Sequence, residues 1–140
     1  MISATVDNEF GRHRVTLATS GKAHTLEIAP RASGFGSAAN GGELLCLALA
    51  TCYCNDIYRE AAKRAIEIIG VEVQAEAEFE IEGAPASRLS YRVTVRANAP
   101  EGALRDLIAH TDSVAEVQNT LRLGLPVVLE SFTAVSSAAK

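Results

Sequence analysis

The chain opens on short apolar patches alternating with polar residues: Ile2, Ala4 and Val6, then Val15 and Leu17, then Leu26 and Ile28. Gly11 and Gly21 separate them. Period-two alternation broken by glycine predicts strands joined by turns, here an antiparallel meander. Pro30 to Asn40 is rich in Gly, Ser and Ala and reads as a loop feeding the next element. From Gly41 the apolar period becomes helical, with Asn40 as N-cap and Glu43 placed to close a capping box. This helix is expected to run to about Ile69 and stop at Gly70. Leu44 to Ala50 is apolar on every side, so that end must be buried, whereas Arg59, Glu60, Lys63 and Glu67 give the second half a wet face.

The clearest alternation follows. Val71, Val73, Ala75, Ala77, Phe79 and Ile81 are interleaved with Glu72, Gln74, Glu76, Glu78, Glu80 and Glu82. After Gly83 to Ser87, Leu89, Tyr91, Val93, Val95 and Ala97 alternate against Ser90, Arg92, Thr94 and Arg96. The two runs predict a long antiparallel hairpin whose wet face sets glutamates opposite arginines; a solvated sheet face explains these charges without any chemistry. Pro100 opens a helix carrying Leu104, Leu107 and Ile108, and Ser113-Val114-Ala115-Glu116 reads as a second capping box that starts another helix, stopped at Gly124. Pro126 to Phe132 suggests a last strand, followed by a frayed AVSSAAK tail. The order of elements defines an α+β fold in a single domain over residues 1–140.

Composition narrows the function. With 140 residues, 48% of them hydrophobic, the chain can build one packed core. Thirteen basic residues against 17 acidic ones, a formal charge of -4 and no basic stripe argue against nucleic acid and anionic membrane as partners. No basic-then-apolar leader opens the chain, and no apolar run approaches the roughly 20 residues of a membrane span, so a soluble cytoplasmic protein is expected. Cys46, Cys52 and Cys54 form neither a disulfide framework nor a C-x-x-C pair. Spread around one helix they do not converge on a metal, so no metal or cofactor is expected and they read as packing residues or reactive thiols. His13, His24 and His110 fall on different elements with no metal or dyad spacing. GFGSAANGG precedes a helix but follows no Rossmann-type strand and lacks the P-loop Lys-Ser/Thr ending, so it reads as a loop over a pocket.

Asn40 to Cys52, NGGELLCLALATC, resembles the helix that carries the first redox cysteine of the OsmC/Ohr family, with the cysteine landing on Cys52. The later HTDSVAEVQNTLRLGLPVV resembles that family's C-terminal helix, and the order of elements agrees along nearly the whole chain. The resemblance implies an intertwined homodimer with the long helices packed together and the sites at the subunit interface. It also implies a chemistry: one cysteine attacks an organic hydroperoxide, becomes a sulfenic acid and is resolved by a second cysteine. An arginine of the meander, held by a glutamate at the start of the long helix, would activate the thiol. Arg12 and Arg14 are both candidates for that arginine.

Counting back from Asn119-Thr120-Leu121-Arg122 puts the resolving position on Ala115. Neither Cys46 nor Cys54 can replace it, because residues two apart on a helix diverge by about 200° and residues six apart are separated by roughly 9 Å of rise. The glutamate is Glu43, nine residues before Cys52, which matches the P-x-E-L-L pattern of the general OsmC-like branch; the hydroperoxide-reducing branch would place it at Gly42. The resemblance thus implies a thiol-dependent peroxidase that uses Cys52, Glu43 and Arg14 or Arg12, with an external thiol or dithiol as reductant. The alternative is a non-catalytic protein of the same fold that holds a small apolar or lipid-like ligand at the dimer interface. His110, just ahead of the C-terminal helix, could approach Cys52.

Overall fold

A computed structural model describes residues 1–138. Its N-terminal third is the expected meander: β1 (Ile2–Glu9), β2 (Arg12–Thr19) and β3 (Lys22–Thr25), antiparallel in that order. Register pairs Val6 with Val15 and Ala4 with Leu17, which collects the apolar residues of β1 and β2 on one face. The third strand lies earlier than the alternation at Leu26 and Ile28 suggests; those two residues follow it and extend the apolar face. The loop over residues 26–40 is tied back to the meander. Gly11 N–H donates to Gly34 O at 2.6 Å, and the Phe10 and Phe35 rings meet edge to face. Gly34 is buried at φ +113°, and a side chain there would strike the Phe10 ring, so both backbone and space require glycine.

The long helix α1 (Gly41–Lys63) starts as read from the sequence. Glu43 N–H donates to Asn40 Oδ1 at 2.8 Å and Asn40 N–H to Glu43 Oε1 at 3.0 Å. Its end differs from the expected Ile69. Ala65 takes the left-handed conformation at φ +53°, and Arg64, Ala65 and Ile66 N–H groups fold back onto Ala61 and Ala62 carbonyls. Ile66 thereby turns onto the core, and the β-branched run Ile68, Ile69, Val71 joins strand β4 (Glu67–Glu78). Gly70 is therefore not a helix stop. It sits at a register shift of β4 against β5 (Arg88–Asn98), where a Cβ would collide with the Arg96 guanidinium.

The hairpin carries the expected wet face: Arg92 reaches Glu76 with both terminal nitrogens, at 2.9 and 3.1 Å, and Arg88 lies 3.4 Å from Glu78. Phe79 and Ile81 lie beyond the end of β4. The opposite face packs on α1 and on α2 (Glu101–Val114). Tyr53, Ile57, Ala61 and Leu107 form the fully enclosed core, with Val71, Val73, Val93 and Val95 against it. Short helix α3 (Glu116–Leu123) follows at once and stops at Gly124, φ +70°.

The capping box read at Ser113 does not form. Ser113 still belongs to the last turn of α2, and its hydroxyl donates to His110 O at 2.6 Å, which leaves Ala115 as the junction of the two helices. The strand read at Pro126 to Phe132 is also absent: residues 125–138 have no regular secondary structure, and Leu125, Val127, Val128, Leu129 and Phe132 are exposed. An extended segment becomes a strand only beside a partner edge, and no described strand lies beside this one. The last two residues of the AVSSAAK tail lie outside the described residues. Among the described residues no helix is long and apolar enough to cross a membrane.

Candidate functional site

The apolar face of the meander and the N-terminal half of α1 do not close on each other. Between them lies a cavity of about 770 Å³, walled by Val6, Val15 and Leu17 on one side and by Leu44, Leu47 and Cys52 on the other. Leu26 and Ile28 line it from the loop after β3, and Val117 from α3. The first half of α1 is accordingly not buried on all sides within one chain. Leu49 is buried, but Leu47 is half exposed.

Cys52 is a partly buried free thiol on this wall. Burial pushes its pKa up, and Asp56, one turn further along α1, pushes the same way, because the thiol donates to Asp56 Oδ2 at 3.4 Å. The backbone N–H groups of Val117 and Glu116, at the start of α3, act in the opposite direction on the sulfur. Burial and the carboxylate prevail, so the thiol stays above its ordinary range.

Asp56 is itself buried and belongs to a chain of charges down α1. Arg59 donates to Asp56 Oδ1 and to Glu60 Oε2, both at 3.0 Å. Lys63 reaches the same Glu60 oxygen at 2.8 Å, and His110 Nε2 lies 2.8 Å from Glu60 Oε1. Hydrogen bonds from Lys63, Arg59 and His110 hold the Glu60 carboxyl down at about 2. Substituting Asp56 with Asn removes the negative charge nearest the sulfur. Iodoacetamide alkylation of Cys52 near neutral pH is expected to speed up about fivefold, as roughly 1 kcal/mol of lost repulsion gives. An unchanged or slower rate, read by peptide mass spectrometry, would show that Asp56 does not control the thiol.

The structure separates the other residues singled out in the sequence from Cys52. Arg12 and Arg14 project from the far face of β2, in opposite phase to Val15 and Leu17; Arg12 pairs with Asp7 and Glu9 there, both at 3.3 Å. Glu43 is engaged in the capping box and borders a groove with Cys46 and Phe79 on the hairpin side of α1. Cys54 borders another groove with Val73. His110 is drawn to Glu60, and His24 sits on exposed β3.

Three residues around the thiol and its cavity were not found by motif. Asp56 lies one helical turn after Cys52, a spacing the sequence displays. Gln118 is buried and donates to Leu49 O at 3.0 Å, pinning the first turn of α3 to α1; its Oε1 has no hydrogen-bond partner. His13 shares the phase of Val15 and Leu17 on β2, and that phase puts it on the cavity wall. Among the described residues no cluster of His, Cys, Asp and Glu could hold a metal ion.

A meander, a long helix, a hairpin and a helix pair around an apolar cavity define a small α+β protein, and of the three thiols on that helix Cys52 is the one that lines the cavity. Residues 34–130 match the model of the OsmC-like protein family, and the chain belongs to that family. Solved structures agree in fold. An OsmC-like protein from Mycoplasma pneumoniae superposes with a TM-score of 0.59 at 18% identity, covering 87% of this chain and 86% of that one. An OsmC-like protein of unknown function from Vibrio cholerae gives 0.59 at 13% identity, with 86% and 92% covered. The organic hydroperoxide resistance protein OhrB of Bacillus subtilis gives 0.53 at 17% identity, with 86% and 90% covered. At these identities the likeness is one of fold. No curated protein matches the chain in sequence.

Proposed function

We propose that the chain reduces organic hydroperoxides with Cys52 as the sole redox cysteine. The observation that carries this reading is the opening of the Cys52 thiol into a cavity walled almost wholly by apolar side chains. Such a wall favours a hydroperoxide with a carbon body over hydrogen peroxide. The similarity to a protein named for organic hydroperoxide resistance supports the same chemistry.

In the proposed reaction the Cys52 thiolate attacks the distal oxygen. The O–O bond breaks, the leaving alkoxide takes a proton to become the alcohol, and the sulfur is left as a sulfenic acid. With alanine at position 115, an external thiol then displaces water to form a mixed disulfide, and a second thiol releases Cys52 as the external disulfide forms. As placed in one chain, Arg12, Arg14 and Glu43 face away from the thiol, so any help from them has to come from a second copy. A homodimer is part of the proposal. Half-exposed Leu47 on α1 and the exposed apolar run from Leu125 to Phe132 support it.

A second reading, a protein that holds an apolar ligand without chemistry, is favoured by the setting of the thiol: Cys52 is partly buried and donates to the Asp56 carboxylate, and both disfavour the thiolate. Brief exposure to cumene hydroperoxide or to hydrogen peroxide, followed by peptide mass spectrometry, separates the two. The peroxidase reading expects rapid oxygen addition at Cys52 with the organic peroxide, reversal by added thiol, and no such product in Cys52→Ser. Oxidation of Cys52 no faster than that of Cys46 and Cys54 would leave the ligand-binding reading.

A further inference from the structure

The cavity wall carries few polar side chains, namely His13, Ser37, Thr51 and Cys52. Serine and threonine hydroxyls rotate to suit a neighbour, whereas His13 is fixed by what lies opposite it on β1. Asn8 and His13 are register partners across β1 and β2, and the Asn8 amide nitrogen lies 3.0 Å from His13 Nδ1.

Which end of the Asn8 amide faces the ring is decided by the backbone around it. Gly36 N–H donates to Asn8 Oδ1 at 2.9 Å, so that atom is the oxygen. Asn8 Nδ2 donates to Gly36 O at 3.1 Å and lies 3.3 Å from Arg12 O, and carbonyls only accept. The group facing Nδ1 is therefore an NH2 donor, and Nδ1 must be an unprotonated acceptor. The imidazole proton then resides on Nε2, and among the described residues no acceptor takes it. His13 is partly buried and lines the cavity, so this N–H is free to donate to a molecule that enters it and carries an oxygen.

We propose that His13 is the polar recognition group of the cavity, donating from Nε2–H to an oxygen on an otherwise apolar ligand, such as an alkyl hydroperoxide or the alcohol it yields. This deepens the hydroperoxide reading and rests on it for the identity of the ligand. It assigns to a histidine on the cavity face of β2 the polar contact that Arg12 and Arg14, on the other face, do not make in one chain.

The test is done in a Cys52→Ser background, where no oxidation intervenes. Three ligands with one carbon skeleton are titrated calorimetrically: cumene, 2-phenylpropan-2-ol and its methyl ether. His13→Leu is expected to weaken the alcohol and the ether about five- to tenfold, the worth of one net hydrogen bond, and to leave cumene unchanged or tighter. His13→Gln, which keeps an N–H near the Nε2 position, is expected to retain most of the preference. Nitrogen-15 NMR of the wild-type ring is expected to show the Nε2–H tautomer. Equal weakening of all three ligands, a proton on Nδ1, or failure of the alcohol and ether to bind would each overturn the proposal. If Cys52 resists oxidation while this oxygen preference persists, the peroxidase reading fails and the role of His13 stands.

Discussion

An Ala115→Cys variant is expected to close an intramolecular disulfide to Cys52 when treated with an organic hydroperoxide. Ala115 is fully buried at the α2–α3 junction, and the two residues after it present their N–H groups to the Cys52 sulfur. A thiol at 115 would thus begin its reach from the backbone next to the nucleophile, and a disulfide needs Cα atoms only about 4.4–6.8 Å apart. Attack of that thiol on the Cys52 sulfenic acid expels water and leaves a product two hydrogens lighter than the reduced variant. The wild-type chain has three free thiols, so the variant has four, of which two remain alkylatable after closure. The added sulfur crowds a filled site at about 1–3 kcal/mol, a cost that Ala115→Ser controls for without offering a second thiol. Three alkylatable thiols with Cys52 held as a sulfenic acid would place position 115 out of reach and remove the reason for reading it as the lost resolving position, whereas four would mean that Cys52 was not oxidised and would count against the peroxidase reading itself.

Local patterns made much of the fold legible in the sequence. Alternation over Ile2 to Leu17 and Val71 to Ala97 marks strands whose two faces meet different surroundings, and the Asn40–Glu43 box marks a helix start through bonds that need no tertiary contact. What failed depended on distant groups. The end of α1 is set by Ile66 reaching a core that forms only when the hairpin packs, and an alanine rather than a glycine takes the left-handed turn there. Pro126 to Phe132 has strand composition but pairs with none of the described strands. Ser113 has the spacing of a cap, yet α2 runs through it and the hydroxyl bonds backwards instead.

The site divides the same way. Cys52 was found by resemblance and lies on the cavity wall. The activating arginines were sought by residue type, and the phase of β2 turns both outward while turning His13 inward. Phase was readable from Val15 and Leu17, but its meaning required knowing which face of the meander looks toward α1.

The same helix that carries the thiol also anchors the core, and the two tasks occupy different halves of it. Ile57→Ala is expected to cost about 2–5 kcal/mol, since Ile57 is fully enclosed by Tyr53, Ala61 and Leu107 and truncation there leaves a void. Against a typical total of roughly 5–15 kcal/mol, that change brings the chain close to unfolding. Leu17→Ala is expected to cost about 1 kcal/mol or less, because Leu17 is only partly buried and its removal enlarges a cavity instead of opening one in packed core. Urea denaturation of both variants measures the difference, and unchanged slopes would confirm a common unfolding transition. Comparable losses would mean that the meander face is packed as tightly as the core, which one chain alone does not provide. The expected asymmetry lets the walls around Cys52 vary with the ligand while α1, α2 and the hairpin hold the sulfur in place.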